Sequence, residues 1–375
     1  MITQSEFFEE SIEKVLSKIN KAAIRPMIVA GKSGQKLTVY EEILKAGFEN
    51  TVLFDDFKPN PTYESVVEGV RTFREENCNF MIAIGGGSAM DVAKSIALFS
   101  GMKGDGADGD FLRQLSGDYD YSKAYIPILA VPTTAGTGSE ATRFAVIYYN
   151  GIKQSVAHDD ILPEYVLLRA DLLKGLPIGQ RKATAMDALC HSVESYWSVK
   201  STDESRETAK EAISVILKNI DGYISGDEEA SLQMLKAANL AGKAINITQT
   251  TAGHAMCYQL THIYGLPHGY AAALCVKALW PYMRSHTGLC TDKRGPEYLK
   301  MVFDSLDEMF ESENAASVFA DIVDGLKMEK PVLEDSKQLE VLVKSVNPDR
   351  LKNNPVSLDE NAIEQIYLEI MKEKK

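Results

Sequence analysis

Short apolar runs alternate with amphipathic stretches through the first half of the chain. Residues 26–30 (PMIVA) read as a buried strand followed by a helix from about Ser33. Residues 51–54 (TVLF) predict a second strand and 63–76 a helix. Residues 80–84 (FMIAI) predict a third strand, ending at Gly85-Gly86-Gly87 with a helix from Ser88, and 126–131 (IPILAV) a fourth. This β-α-β-α rhythm predicts a parallel sheet covered by helices. The Gly- and Asp-rich stretch 101–122 reads as an exposed loop. Asn150-Gly151 between the strand-like runs 144–149 and 153–157 signals a hairpin.

After Pro177 strand signals nearly vanish. Helical patterns follow over about 180–198, 203–224, 229–250 and 268–284 and continue toward the C-terminus. The boundary falls near 178–182. It divides an α/β domain (1–179) from an all-helical one (180–375), and an active site is expected in the cleft between them.

The length of 375 residues fits two domains. A net charge of −13 argues against nucleic-acid or anionic-membrane partners, but leaves room for a small anionic substrate in a locally basic pocket. No run is long and apolar enough for a membrane span, and the acidic N-terminus does not read as a signal peptide. Cys78, Cys190, Cys257, Cys275 and Cys290 are scattered without a C-x-x-C, so no disulfide framework or zinc ribbon is expected. A reducing cytoplasm is the expected location.

Two segments are candidates for binding a nucleotide. Gly85-Gly86-Gly87-Ser88-Ala89-Met90-Asp91 follows a strand and opens a helix, where close backbone approach and unpaired N–H groups favour a phosphate. Ser88 is expected to cap that helix. The same residues also suit an ordinary strand-to-helix turn. The second segment, Pro132 to Glu140 (PTTAGTGSE), offers hydroxyls and backbone N–H groups at the end of the next strand. The usual G-x-G-x-x-G after the first strand is absent, and Gly31-Lys32-Ser33-Gly34 stands there instead.

In the helical half, Asp187 and His191 are four residues apart on one helix face, so one metal ion can meet both. His254 and His268 offer two further imidazoles, His268 between Pro267 and Gly269. A carboxylate with three imidazoles suits a borderline divalent ion such as iron(II) or zinc. His158, His262 and His286 are expected to fill ordinary hydrogen-bonding roles.

GGGSAMD, PTTAGTGSEAT, MDALCHSVESY and GHAMCYQLTHIYGLPHG together resemble the group III, iron-containing alcohol dehydrogenases, in the same order and at similar spacing from about residue 24 to 285. The resemblance implies a Rossmann-like dinucleotide-binding domain followed by a helical metal-binding domain, a dehydroquinate synthase-like fold. It implies Asp187, His191, His254 and His268 as ligands of Fe(2+) or Zn(2+), and Gly86, Gly87 and Ser88 at the pyrophosphate. Thr133, Thr134, Thr137 and Lys153 align with cofactor contacts, and a homodimer is expected. Many members have an Asp where this chain has Gly31; with Lys32 and Ser33 following, the departure favours NADPH over NADH. Many also have a second His where this chain has Tyr258, a candidate proton donor or pocket wall. Arg143 stands where many relatives are neutral, and is a candidate anchor for an anionic substrate. Tyr258 and YGLPHG resemble the phosphonoacetaldehyde reductase branch.

The expected activity is therefore reduction of an aldehyde, foremost phosphonoacetaldehyde to 2-hydroxyethylphosphonate. Butanol or 1,3-propanediol dehydrogenase-like chemistry on simple aldehydes or diols, a dehydroquinate synthase-like lyase, and a non-catalytic nucleotide-binding or filament protein are the alternatives.

Overall fold

The computed structural model describes residues 4–19, 24–46, 51–115 and 125–373. The chain forms two compact units. One holds residues 4–134 and 138–175 and the other 135–137 and 176–373, within these described limits.

The first unit is built on a parallel sheet. Its strands are β1 (Ser5–Phe8), β2 (Pro26–Ala30), β3 (Val52–Phe54), β4 (Phe80–Gly85), β5 (Ile128–Pro132) and, numbered after the hairpin, β8 (Tyr165–Leu168). The order across the sheet is β1-β8-β5-β4-β2-β3. Central β2, β4 and β5 are almost wholly buried, which is why they read as continuous apolar runs. The hairpin β6 (Phe144–Tyr149) and β7 (Ile152–Ala157) turns at Asn150-Gly151, with φ of 51° and 73°, as a two-residue primed turn requires.

The helices of this unit are α1 (Ile12–Ser17), α2 (Thr38–Lys45), α3 (Tyr63–Glu75), α4 (Gly87–Ser100) and α5 (Asp110–Leu115). Two local expectations are corrected. Helix α4 starts one residue early, with extended Gly86 at its N-cap and no side-chain cap, so Ser88 lies inside the first turn. The stretch after residue 100 is not all loop: Asp110–Leu115 is helical and buries Phe111 against Tyr63 and Phe99. Residues 116–122 of that expected loop lie outside the described residues.

The second unit contains α6 (Ile178–Trp197), α7 (Asp203–Ser225), α8 (Glu228–Thr248), α9 (Ala252–Tyr264) and α10 (His268–Ser285). It continues with α11 (Pro296–Met309), α12 (Ala315–Gly325), α13 (Ser336–Ser345), α14 (Pro348–Leu351) and α15 (Glu360–Ile370). Helix α6 packs against α7, α8 and α10, and α9 packs against α10. Trp197 of α6 meets Trp280 of α10 edge-on at 5.2 Å, and Trp280 is ringed by Phe310 and Phe319. Side chains at Thr202 and Asp227 cap α7 and α8 by accepting from backbone N–H groups. The unit is not purely helical: β9 (Val332–Leu333) and β10 (Lys372–Glu373) form a short parallel pair. Among the described residues no helix is long and apolar enough to cross a membrane.

Candidate metal centre and nucleotide loops

Helix α6 carries Asp187 and His191 one turn apart, and α9 and α10 bring His254 and His268 to them. Gly269 permits the approach. A Cβ there would overlap the Ala183 carbonyl oxygen and lie 2.6 Å from the Asp187 Cβ. No side chain fits at that crossing, and His268 is its neighbour in sequence.

One ligand atom each from Asp187, His254 and His268 lies within 4.8 Å of the others. Asp187 Oδ1 is 3.4 Å from His254 Nε2 and 4.0 Å from His191 Nε2. The His191 and His254 rings stack at 4.4 Å, and His254 meets His268 at 5.5 Å. His191 is thus beside the cluster but outside its tightest triad. Burial alone would raise the Asp187 carboxyl, but the surrounding imidazoles hold it well below the usual carboxylate range. Burial also pushes the His191 imidazole down to about 4. A buried carboxylate facing converging imidazoles fits a borderline divalent cation.

Behind the ligands stands a residue the sequence reading missed. Glu194, two turns along α6 from Asp187, is fully buried. Its Oε2 accepts from His254 Nδ1, while Oε1 accepts from Thr251 N at 3.0 Å, Thr251 Oγ1 at 2.7 Å and His254 N at 3.2 Å. Burial opposes a charge on His254, but the Glu194 and Asp187 carboxylates outweigh it and raise the imidazole to about 10. The sequence signal was a Glu in the apolar context of MDALCHSVESYW.

Tyr258 lies one turn after His254 on α9, and its ring stacks parallel on His268 at 5.9 Å. It therefore sits beside the cluster, as its spacing predicts. Arg143, the expected anchor for an anionic substrate, lies in the α/β unit. It is surface-exposed, its guanidinium paired with Asp159 at 2.7 Å within the α/β unit, so its charge is already met.

The two nucleotide-loop candidates come together within the α/β unit because β4 and β5 are neighbours in register, Gly85 opposite Pro132. Thr133 N donates to the Gly85 carbonyl at 3.0 Å. A Cβ on Gly86 would crowd the Thr134 methyl and hydroxyl at 3.2 Å. Gly87 and Ser88 follow in the first turn of α4, where backbone N–H groups lack helical partners. This cradle fits the phosphates of a dinucleotide. Thr137, with Ala135 and Gly136, clusters with the helical unit; Gly136 sits against Thr184 with no space for a side chain.

Asp91, an expected cofactor contact, sits among polar and charged side chains. Ser139 Oγ approaches its carboxylate at 3.4 Å, and the charges of Lys94 and Lys153 lie near it. Lys94 was also missed. It is almost fully buried, and its Nζ is ringed by five acceptors for its three N–H groups, Ser139 O and Oγ, Thr142 O and Oγ1, and Phe144 O, pinning the chain that follows the second loop. A lone lysine in the apolar run DVAKSIALF was the available signal.

At the end of β2, Gly31 has open space, its nearest neighbour being Phe57 at 3.8 Å, and Lys32 and Ser33 are exposed or nearly so. A carboxylate does stand nearby, from the adjacent strand. Gln35 Nε2 donates both to the Ala30 carbonyl and to Asp55 Oδ2, each at 2.9 Å.

The family model described as iron-containing alcohol dehydrogenase matches residues 3–170, and that of the family's C-terminal region matches residues 182–371. This chain belongs to the iron-containing alcohol dehydrogenase family. It is 34% identical over 255 residues to alcohol dehydrogenase 4 of Schizosaccharomyces pombe, a match covering 66% of this chain and 59% of the yeast protein. It is also 34% identical over 267 residues to the phosphonoacetaldehyde reductase of Streptomyces viridochromogenes, covering 68% of this chain and 66% of that one. The matched stretches thus span about three fifths to two thirds of these relatives. The crystal structure of an iron-containing alcohol dehydrogenase from Thermotoga maritima superposes with a TM-score of 0.84 at 29% identity, covering 99% of this chain and 98% of that one.

Proposed function

We propose that this protein is a metal-dependent, nicotinamide-linked alcohol dehydrogenase working as an aldehyde reductase. The observation that carries the reading is the convergence of buried Asp187 and His254 with half-buried His268, and with His191 beside them, in a chain of this family. An iron(II) or zinc ion held by these four side chains would supply Lewis acidity toward a carbonyl oxygen, and NAD(P)H the hydride. The chain's own part is positional. Asp187 brings the negative charge, Glu194 orients His254, and the loops at Gly85–Ser88 and Thr133–Thr134 hold the dinucleotide phosphates. Tyr258 Oη is the proton donor to the substrate oxygen in this reading. Gly31 and exposed Lys32 support NADPH as the preferred cofactor, with Asp55 as the opposing charge. A homodimer remains the proposed assembly, and the cytoplasm the proposed location.

Among aldehydes we favour phosphonoacetaldehyde, reduced to 2-hydroxyethylphosphonate, on the identity to the Streptomyces enzyme of that name. The second reading, a simple short-chain aldehyde, is favoured by the pairing of Arg143 with Asp159 and by the yeast relative. NADPH oxidation by metal-loaded protein with phosphonoacetaldehyde, beside propanal, decides between them. Faster turnover per KM of phosphonoacetaldehyde supports the first, and preference for propanal the second. Turnover of neither aldehyde, nor of a diol in reverse, overturns the reductase reading.

A further inference from the structure

A second arginine, Arg350, stands one ring removed from the metal centre, against Tyr258. It is on α14, which packs against α9. Its guanidinium carbon is 5.7 Å from the centroid of the Tyr258 ring. That ring in turn stacks parallel on His268 at 5.9 Å. One phenol ring therefore touches both a guanidinium and a candidate metal ligand.

The charges around Arg350 are spent elsewhere. Asp349 pairs with Lys352 at 2.6 Å, both on the surface. Among the described residues no carboxylate lies within ion-pair distance of the Arg350 guanidinium, and the residue is partly buried. Pro348 at the start of α14, and the cap that Asn347 Oδ1 gives to Asp349 N at 2.9 Å, fix the short helix that carries it. An arginine over an aromatic face is held by the ring's quadrupole while its N–H edge stays available. That edge is a planar fork of donors matched to two oxygens of a phosphonate, sulfonate or carboxylate.

We propose that Arg350 anchors the oxyanion head of a short anionic aldehyde whose carbonyl end lies toward His268. The assignment rests on the aldehyde-reductase reading above, and moves the anion-binding role from Arg143 to Arg350. A purely structural alternative is that Arg350 only braces Tyr258; it would affect neutral and anionic substrates alike.

The test uses metal-loaded protein with NADP⁺ present to fill the phosphate loops, and methylphosphonate as a non-reducible probe. Calorimetry is expected to show methylphosphonate binding to the wild type, weakened about 10- to 100-fold in Arg350→Met. In steady state the ratio of kcat/KM for phosphonoacetaldehyde over propanal is expected to fall by about the same factor, mostly through KM, with Arg350→Lys restoring part of it. Methylphosphonate binding that is absent in the wild type, or equal in wild type and Arg350→Met, overturns the anchor, as does an equal loss on both aldehydes. The two readings fail separately. Arg350-dependent methylphosphonate binding without reduction of either aldehyde would sink the reductase and keep the anion site. Brisk propanal reduction without methylphosphonate binding would do the reverse.

Discussion

The Glu194 carboxylate accepts from His254 Nδ1 while Nε2 of the same ring faces Asp187 Oδ1 at 3.4 Å. The hydrogen bond on one nitrogen thus sets which nitrogen offers its lone pair to a metal. Glu194 also accepts from the Thr251 and His254 backbone N–H groups, so it caps the start of α9 with the same side chain.

Glu194→Gln should therefore lower metal affinity by about 10- to 100-fold. The amide keeps the size, but its NH₂ would face donors on at least one side. Competition for iron(II) or zinc against a chelator of known affinity measures this. An unchanged affinity would mean that His254 is positioned by packing alone.

Lys94→Met removes a buried ammonium whose three N–H groups serve five surrounding acceptors, and takes that donor from the carbonyls of Thr142 and Phe144, while the Ser139 carbonyl keeps Thr142 N and Oγ1. A loss of about 3 kcal/mol in unfolding free energy is expected, read from urea denaturation of the metal-loaded protein. A loss below about 1 kcal/mol would show that the chain after the second loop holds its shape without the lysine.

Gly86→Ala places a methyl 3.2 Å from the Thr134 methyl and hydroxyl. Thr134 must shift, and the cradle between the two loops opens or closes with it. NADPH affinity, followed by the fluorescence of the bound cofactor, should fall about tenfold or more. Affinity equal to wild type would remove the cradle from the account.

Cofactor preference offers a charge test. Asp55 is exposed and stands beside the turn after β2, so its repulsion toward a 2′-phosphate is screened but present. Asp55→Asn should raise the NADPH-to-NADH ratio of kcat/KM by roughly threefold, and Lys32→Ala should lower it by a similar factor. A ratio that neither substitution moves would place the adenosine end elsewhere.

Much of this architecture was legible because it rests on local periodicity. Strands 26–30 and 80–84 are buried on both faces and read as apolar runs. The Asn150-Gly151 turn needs positive φ at both positions and says so in its residue types. Asp187 and His191 share a helix face by spacing alone. Strand β1 escaped notice because it lies at the sheet edge, where SEFF need not be apolar. Lys94, Glu194, Asp55 and Arg350 escaped notice for a different reason. Each acts through a partner far away in sequence, and no local pattern distinguishes a buried lysine or glutamate from a solvated one. Arg143 was the converse case, a conspicuous charge that the fold pairs with Asp159.

The most direct test of the central claim joins metal content to turnover. Protein loaded anaerobically with iron(II), beside metal-free protein and the His254→Ala/His268→Ala double variant, should be assayed for bound metal and for NADPH oxidation with phosphonoacetaldehyde and propanal. The account predicts about one ion per chain and metal-dependent turnover in the wild type, with both lost in the double variant. Turnover that survives the loss of both histidines would contradict it.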